Sequence, residues 1–175
     1  ETIRIVRSSA EALAYAHQRG MIHRDVKPAN LMLDEDGRVV LTDFGIAKIV
    51  TGSQFTASGG MVGTPAFMAP EQALGGRDVD GRADLYALGC VAYWLLTGRL
   101  VFESDTVLEM ITRHLRDAPM PPSKLTEIAI PPELDQIILE CLEKRPEDRP
   151  RDAVQLAQRL AAVEIPEKWT HEKAS

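Results

Sequence analysis

Asp25, Lys27, Asn30 and Asp43 are the residues whose types and spacing could do chemistry together. They sit in His23-Arg24-Asp25-Val26-Lys27-Pro28-Ala29-Asn30 and in Asp43-Phe44-Gly45. Between the two stretches lie the apolar segments Leu31-Met32-Leu33 and Val39-Val40-Leu41, separated by Asp34-Glu35-Asp36-Gly37. An Asp-Gly pair between two aliphatic runs predicts a β-hairpin. Such a hairpin brings Asn30 and Asp43, at its outer ends, to one edge, with Asp25 and Lys27 on the loop leading in. Two carboxylates, an amide and an ammonium then share a small volume. That set suits two magnesium ions and a polyphosphate, because Mg²⁺ prefers hard oxygen ligands and a lysine neutralises phosphate charge.

The elements that must hold this loop are mostly helical. Ile3, Val6, Ala10, Leu13 and His17 recur at spacings of three and four, which predicts a core helix over 2–19 with Gly20 behind it and no chemistry of its own. Residues 82–97 are apolar nearly all round and end at Thr97-Gly98. They read as a buried central helix, too short and too charged (Arg82, Asp84) to span a membrane. Three more helices follow: one capped by Ser104, one opened by Pro131-Pro132 and one preceded by Asp152. The stretch 46–69 is irregular and rich in Gly, Ser and Thr, so it is either a functional loop or a linker. His114 and His171 have no partners at metal-ligand spacing, and no internal repeat occurs.

His-Arg-Asp-x-Lys-Pro-x-Asn, then Asp-Phe-Gly, Gly63-Thr64-Pro65 and Ala69-Pro70-Glu71, in this order, resemble the eukaryotic-type protein kinase family over nearly the whole chain. Lys27 resembles the Ser/Thr-specific branch, and Ala29, where many eukaryotic members carry an acid, resembles the bacterial one. The implied fold class is mainly α, a kinase-like C-terminal lobe: a helical bundle with a small β-hairpin carrying the catalytic and metal-binding loops. The implied domain runs over 1–166, with a polar tail over 167–175. The implied activity is ATP- and Mg²⁺-dependent phosphoryl transfer to Ser/Thr hydroxyls of a protein substrate.

The resemblance also implies roles. Asp25 orients the acceptor hydroxyl and takes its proton, and Lys27 reaches the transferring phosphate. Asn30 ligates one Mg²⁺, Asp43 bridges both ions to the phosphates, and Thr64 bonds the catalytic aspartate and lysine. Met32 faces the adenine ring or is an ordinary core methionine, and Thr42 lines the same pocket. Arg24 is the partner for a phosphate on the loop, with Thr56 and Ser58 as acceptors; the alternative is that both are linker residues. His23, packed on Phe44, Glu71, paired with Arg149, and Asp84, holding the catalytic-loop backbone, are structural supports.

No Gly-x-Gly-x-x-Gly and no Val-Ala-Ile-Lys occurs in the sequence. The family's Gly-rich loop, strand lysine and helix glutamate are therefore expected in a separate N-terminal lobe, the missing partner of this piece. Without them the 175 residues alone are expected to be inactive. The face where that lobe would sit is expected to be apolar and to favour self-association.

Composition is that of a globular domain: 45% hydrophobic and 26% charged residues, with a net charge of -6. The acidic balance and the lack of a basic run exclude a dedicated nucleic-acid surface. No apolar run reaches membrane-spanning length, so the piece is expected in the cytoplasm even if its parent is membrane-anchored elsewhere. Cys90 and Cys141 both fall in apolar helical patterns and read as reduced core residues. Two further readings stand beside the kinase. One is a non-catalytic scaffold or association module that kept this lobe; intact Asp25, Lys27, Asn30 and Asp43 argue against it. The other is a small-molecule phosphotransferase, which would lack the Gly-Thr-Pro and Ala-Pro-Glu segments.

Overall fold

The computed structural model describes residues 1–44, 65–76 and 78–164. The described chain is mostly helical, with one two-stranded antiparallel sheet. In order, it forms α1 (Thr2–His17), β1 (Leu31–Leu33), β2 (Val39–Leu41), α2 (Pro70–Ala73), α3 (Arg82–Thr97), α4 (Val107–Arg116), α5 (Pro132–Cys141) and α6 (Ala153–Ala161).

Helix α3 is the axis of the core. Every residue from Ala83 to Tyr93 is buried, which is what an all-round apolar helix demands. It stops at Gly98, whose φ of 69° closes the helix in the left-handed conformation, with the Gly98 N–H donating to Trp94 O at 2.8 Å. Helix α1 buries Val6, Ser9, Ala10, Leu13 and Ala16 on one stripe and packs on α3, α6 and β2. It ends at His17, two residues before the predicted boundary. Helix α5 starts on Pro132 and packs on α3 through Leu134, Ile137, Ile138 and Cys141. Both cysteines are free and buried, and desolvation raises both thiols, Cys141 to about 12.

Helix α4 corrects one expectation. Its N-cap is Thr106, whose hydroxyl accepts from Glu109 N at 3.2 Å. Ser104 instead donates to Thr106 O and to Glu109 Oε2. The two hydroxyls stand two residues apart, and the extended φ/ψ at Thr106 puts the helix start two residues later than expected. Asp152 does cap α6, accepting from Gln155 N at 2.8 Å.

The hairpin pairs Leu31 with Leu41, Met32 with Val40 and Leu33 with Val39. Its turn is closed by Gly37 N–H on Asp34 O and by Arg38 N–H on Asp34 Oδ1, with Gly37 at φ 74°. Leu31 and Leu41 pack on the core, while Met32 and Val40 face outward, 57% and 45% exposed. The Arg4 guanidinium donates to Gly37 O and ties the turn to α1.

Candidate active site

A hairpin fixes its own ends, and here it does so by one bond: Thr42 N–H donates to Asn30 O at 3.0 Å, continuing the ladder past Leu31 and Leu41. Asp43 follows at once, with a φ of 56° that turns the chain out of the strand. A left-handed conformation at an aspartate is uncommon and costs energy.

Asn30 is buried and closes the loop from inside. Its Nδ2 donates to Asp25 O at 2.8 Å and lies 3.4 Å from Asp25 Oδ2. With the amide nitrogen turned that way, Oδ1 is the atom available to a cation. Lys27 Nζ lies 3.0 Å from Asp25 Oδ2, both side chains about one-fifth exposed. An ammonium beside a largely buried carboxylate offsets its charge, and it also places a cationic donor at the mouth of the loop.

The loop backbone is held from beneath by Asp84 in the first turn of α3. This carboxylate is 1% exposed and takes three donors: His23 N at 2.8 Å, Arg24 N at 2.7 Å and His17 Nε2 at 2.8 Å. A buried carboxylate is tolerable only when so satisfied. His17 thus does more than fill the stripe of α1. Its ring, at the last position of α1, reaches across to α3 as a structural support. Gly81 makes the approach feasible. A Cβ there would meet the His17 ring at 2.6 Å, so only glycine lets the imidazole lie against the start of α3.

His23 is fully buried, and both its ring nitrogens are engaged. Nε2 donates to Thr42 O at 2.9 Å, and Nδ1 accepts from Asp25 N at 3.3 Å. That pattern assigns the neutral tautomer and leaves no lone pair for a substrate proton. Its ring centroid stands 4.5 Å from that of Phe44. Glu71 and Arg149 form a bidentate pair at 2.7 and 2.8 Å. Arg149, 4% exposed, also donates to Arg82 O, Glu143 O and Lys144 O. Every arm of the guanidinium is used, which is the condition under which burying it is tolerable.

Of the other expected site residues, Met32 lies on the outer face of the hairpin and Thr42 at its end, where its hydroxyl is 3.4 Å from Asn30 O. Arg24 sits beside Asp25 with its Nε buried and without a hydrogen-bond partner among the described residues. Thr56, Ser58, Thr64 and the tail lie outside the described residues. Gln72 was missed by sequence reasoning. It is buried and donates to Arg24 O at 3.1 Å across forty-eight positions. A glutamine at the third position of a helix is a capping signal, but nothing local points it at a distant loop.

His114 was also passed over. It is buried on α4, hydrogen-bonded to the Tyr86 hydroxyl at 2.8 Å and edge-on to Phe102 at 5.1 Å. Desolvation, then the nearby Lys144 ammonium, push its pKa from 6.5 down to about 4. A folded-state value below the unfolded one means that the unfolded chain binds the extra proton. Stability is therefore full above pH 6.5 and is lost as pH falls toward 4. The loss is expected to reach roughly 3 kcal/mol at most. Urea unfolding at pH 7 and pH 4.5 checks it: His114→Phe should flatten the acid-side decline, and an unchanged decline would reject this assignment.

Among the described residues, no three His, Cys, Asp or Glu side chains converge on a metal site. Magnesium held by a polyphosphate requires no such cluster, since one or two side-chain oxygens suffice beside phosphate and water. Asn30 Oδ1 and the Asp43 carboxylate are a donor set of that kind.

A profile of the protein kinase domain family matches residues 1–160. The chain is 40% identical over 163 residues to the serine/threonine-protein kinase PknB of Mycolicibacterium smegmatis, covering 92% of this chain and 26% of that protein. It is 40% identical over 154 residues to a probable serine/threonine-protein kinase of Clostridium acetobutylicum, covering 88% and 23% respectively. It is 43% identical over 171 residues to the serine/threonine-protein kinase pkn3 of Myxococcus xanthus, covering 93% and 31%. The chain thus spans about a quarter to a third of these bacterial relatives. With the His23–Asn30 loop brought beside Asp43 and Phe44 at the hairpin ends, and the family profile matching residues 1–160, the chain belongs to the protein kinase domain family.

Proposed function

We propose that this chain is the C-terminal lobe of a bacterial-type serine/threonine protein kinase, and that the intact protein transfers the γ-phosphoryl group of ATP to protein Ser/Thr hydroxyls. The observation that carries the reading is the convergence of Asp25, Lys27 and Asn30 within hydrogen-bond reach, with Asp43 one residue beyond the Thr42–Asn30 bond. In this reading the Asp25 carboxylate accepts a hydrogen bond from the substrate hydroxyl and, as the new P–O bond forms, takes its proton. Lys27 donates to the transferring phosphate, and Thr64 steadies both. Asn30 and Asp43 hold the Mg²⁺ ions. When bound, those ions supply charge neutralisation at the phosphate oxygens. Met32 and Thr42 take the adenine, since the apolar strip of Met32 and Val40 offers a flat, exposed seat.

The domain is assigned to 1–166 and the tail to 167–175. The same strip is where the N-terminal lobe would rest, and where copies of the chain would associate without it. Arg24, its Nε without a partner among the described residues, is the receiver of a phosphate on Thr56 or Ser58. No described helix is long and apolar enough to cross a membrane; we place this piece on the cytoplasmic side, where ATP is. The test is transfer of labelled phosphate from ATP with Mg²⁺ to a protein substrate by the intact protein, followed by identification of the phosphorylated residues. Phosphoserine or phosphothreonine is expected. Nucleotide-independent binding with no transfer would favour the scaffold reading.

A further inference from the structure

We propose that Gln72 is a positioning residue for Asp25: it holds the peptide plane from which the catalytic carboxylate is hung. The proposal rests on the phosphoryl-transfer reading above. Arg24 has a φ of 63°, the left-handed region that a residue with a Cβ seldom adopts. Such strain persists only where the surroundings over-determine it. Here the surroundings are two separate helices. Arg24 N–H donates to Asp84 Oδ1 on α3 at 2.7 Å, and Arg24 C=O accepts from Gln72 Nε2 on α2 at 3.1 Å.

The second bond matters for a covalent reason. The Arg24 carbonyl and the Asp25 N–H belong to one planar peptide unit. Gln72 holds its oxygen at 3.1 Å, and His23 Nδ1 accepts from its N–H at 3.3 Å. With both edges of the plane tied, the Cα of Asp25 has one direction to leave in. Losing either tie frees the plane to rotate and swings the carboxylate away from Lys27 and Asn30. Gln72 is itself fixed, 8% exposed, with Oε1 accepting from Ala69 N at 3.2 Å. Its amide orientation follows from that pair of bonds, because only the nitrogen end can donate to a carbonyl. Gln72 therefore links the Ala-Pro-Glu segment to the catalytic loop.

A plainer role exists for it as an N-terminal cap of the short α2, and the two roles predict different variants. Gln72→Glu keeps the oxygen that accepts from Ala69 and so keeps the cap. It replaces the donor to Arg24 with an acceptor, so the peptide plane is released. The experiment is carried out on the intact protein in two arms: steady-state kinetics with ATP and a protein substrate, and amide hydrogen exchange of the His23–Asp25 segment. For Gln72→Glu, kcat is expected to fall about tenfold or more, with KM for ATP within about twofold of wild type, since a misplaced reacting group costs rate rather than nucleotide affinity. Exchange at Arg24 and Asp25 is expected to quicken while the global unfolding midpoint holds.

Gln72→Met, which loses both bonds, should show at least as large a change in exchange. It serves if the glutamate variant folds poorly. Unchanged exchange over His23–Asp25 in both variants overturns the proposal whatever the activity, and wild-type kcat in both does the same. If the unaltered protein transfers no phosphate, the proposed function fails, and the exchange arm still decides the role of Gln72.

Discussion

Asp25→Asn is expected to lower kcat for phosphoryl transfer by about 10² to 10⁴, the range that a positioned general base contributes. KM for ATP should change little, because the nucleotide is held elsewhere. Asp25 sits between Lys27 Nζ at 3.0 Å and Asn30 Nδ2, and the asparagine amide is isosteric with the carboxylate. The backbone bonds from Asn30 and to His23 do not involve the changed atoms, so the loop should keep its shape. What is lost is the acceptor for the substrate proton and the ion pair with Lys27. That pair joins two residues close in sequence, each about one-fifth exposed and still reached by water, so its loss should lower stability by less than about 1 kcal/mol. Steady-state kinetics and urea unfolding on the same preparation separate the two. A variant that keeps wild-type kcat would remove Asp25 from the chemistry.

Asp84→Ala is expected to do the reverse, acting on stability first. Removing the carboxylate strands three donors: His23 N, which is buried, and Arg24 N and His17 Nε2, which are part-buried. Each unpaired buried donor costs on the order of 1–3 kcal/mol. The groups share one site, so their costs are not additive, and a total of roughly 3–5 kcal/mol is the scale for a broken buried charged network. The strained Arg24 loses one of its two holds at the same time, so transfer should fall even at temperatures where the variant stays folded. Thermal unfolding measures the first effect and kcat below the transition the second. A loss under about 1 kcal/mol would mean that water or relaxation replaces the carboxylate, and that α3 is not what supports the loop.

These two residues also mark the division between what the chain discloses locally and what it does not. The hairpin was legible because its turn, its two aliphatic runs and its flanking Asn30 and Asp43 are neighbours in sequence. Helix α3 was legible because a run buried on every side has no polar face to obscure it. The site motifs carried their meaning through resemblance, and the fold then brought Asp25, Lys27 and Asn30 into contact through short-range bonds. Contacts between distant elements were harder to read. His17 looked like one more position on the stripe of α1, because its partner lies sixty-seven residues on and Gly81 had to leave room for it. Gln72 carried a local capping signal that accounts for only one of its two bonds. The N-cap of α4 moved from Ser104 to Thr106 because composition alone does not choose between hydroxyls two residues apart when both bond the same turn.

The central claim is that one edge of this lobe, built by the hairpin and the catalytic loop, is a phosphoryl-transfer site. The measurement that tests it most directly is labelled-phosphate transfer from ATP to a protein substrate, run side by side for the intact protein and its Asp43→Ala variant in Mg²⁺. Asp43 lies past the hairpin and is exposed, so its loss should leave the fold intact while removing a magnesium ligand. The account predicts transfer to Ser/Thr by the wild type and its near-complete loss in the variant. Equal transfer by both proteins, or none by either, would contradict it.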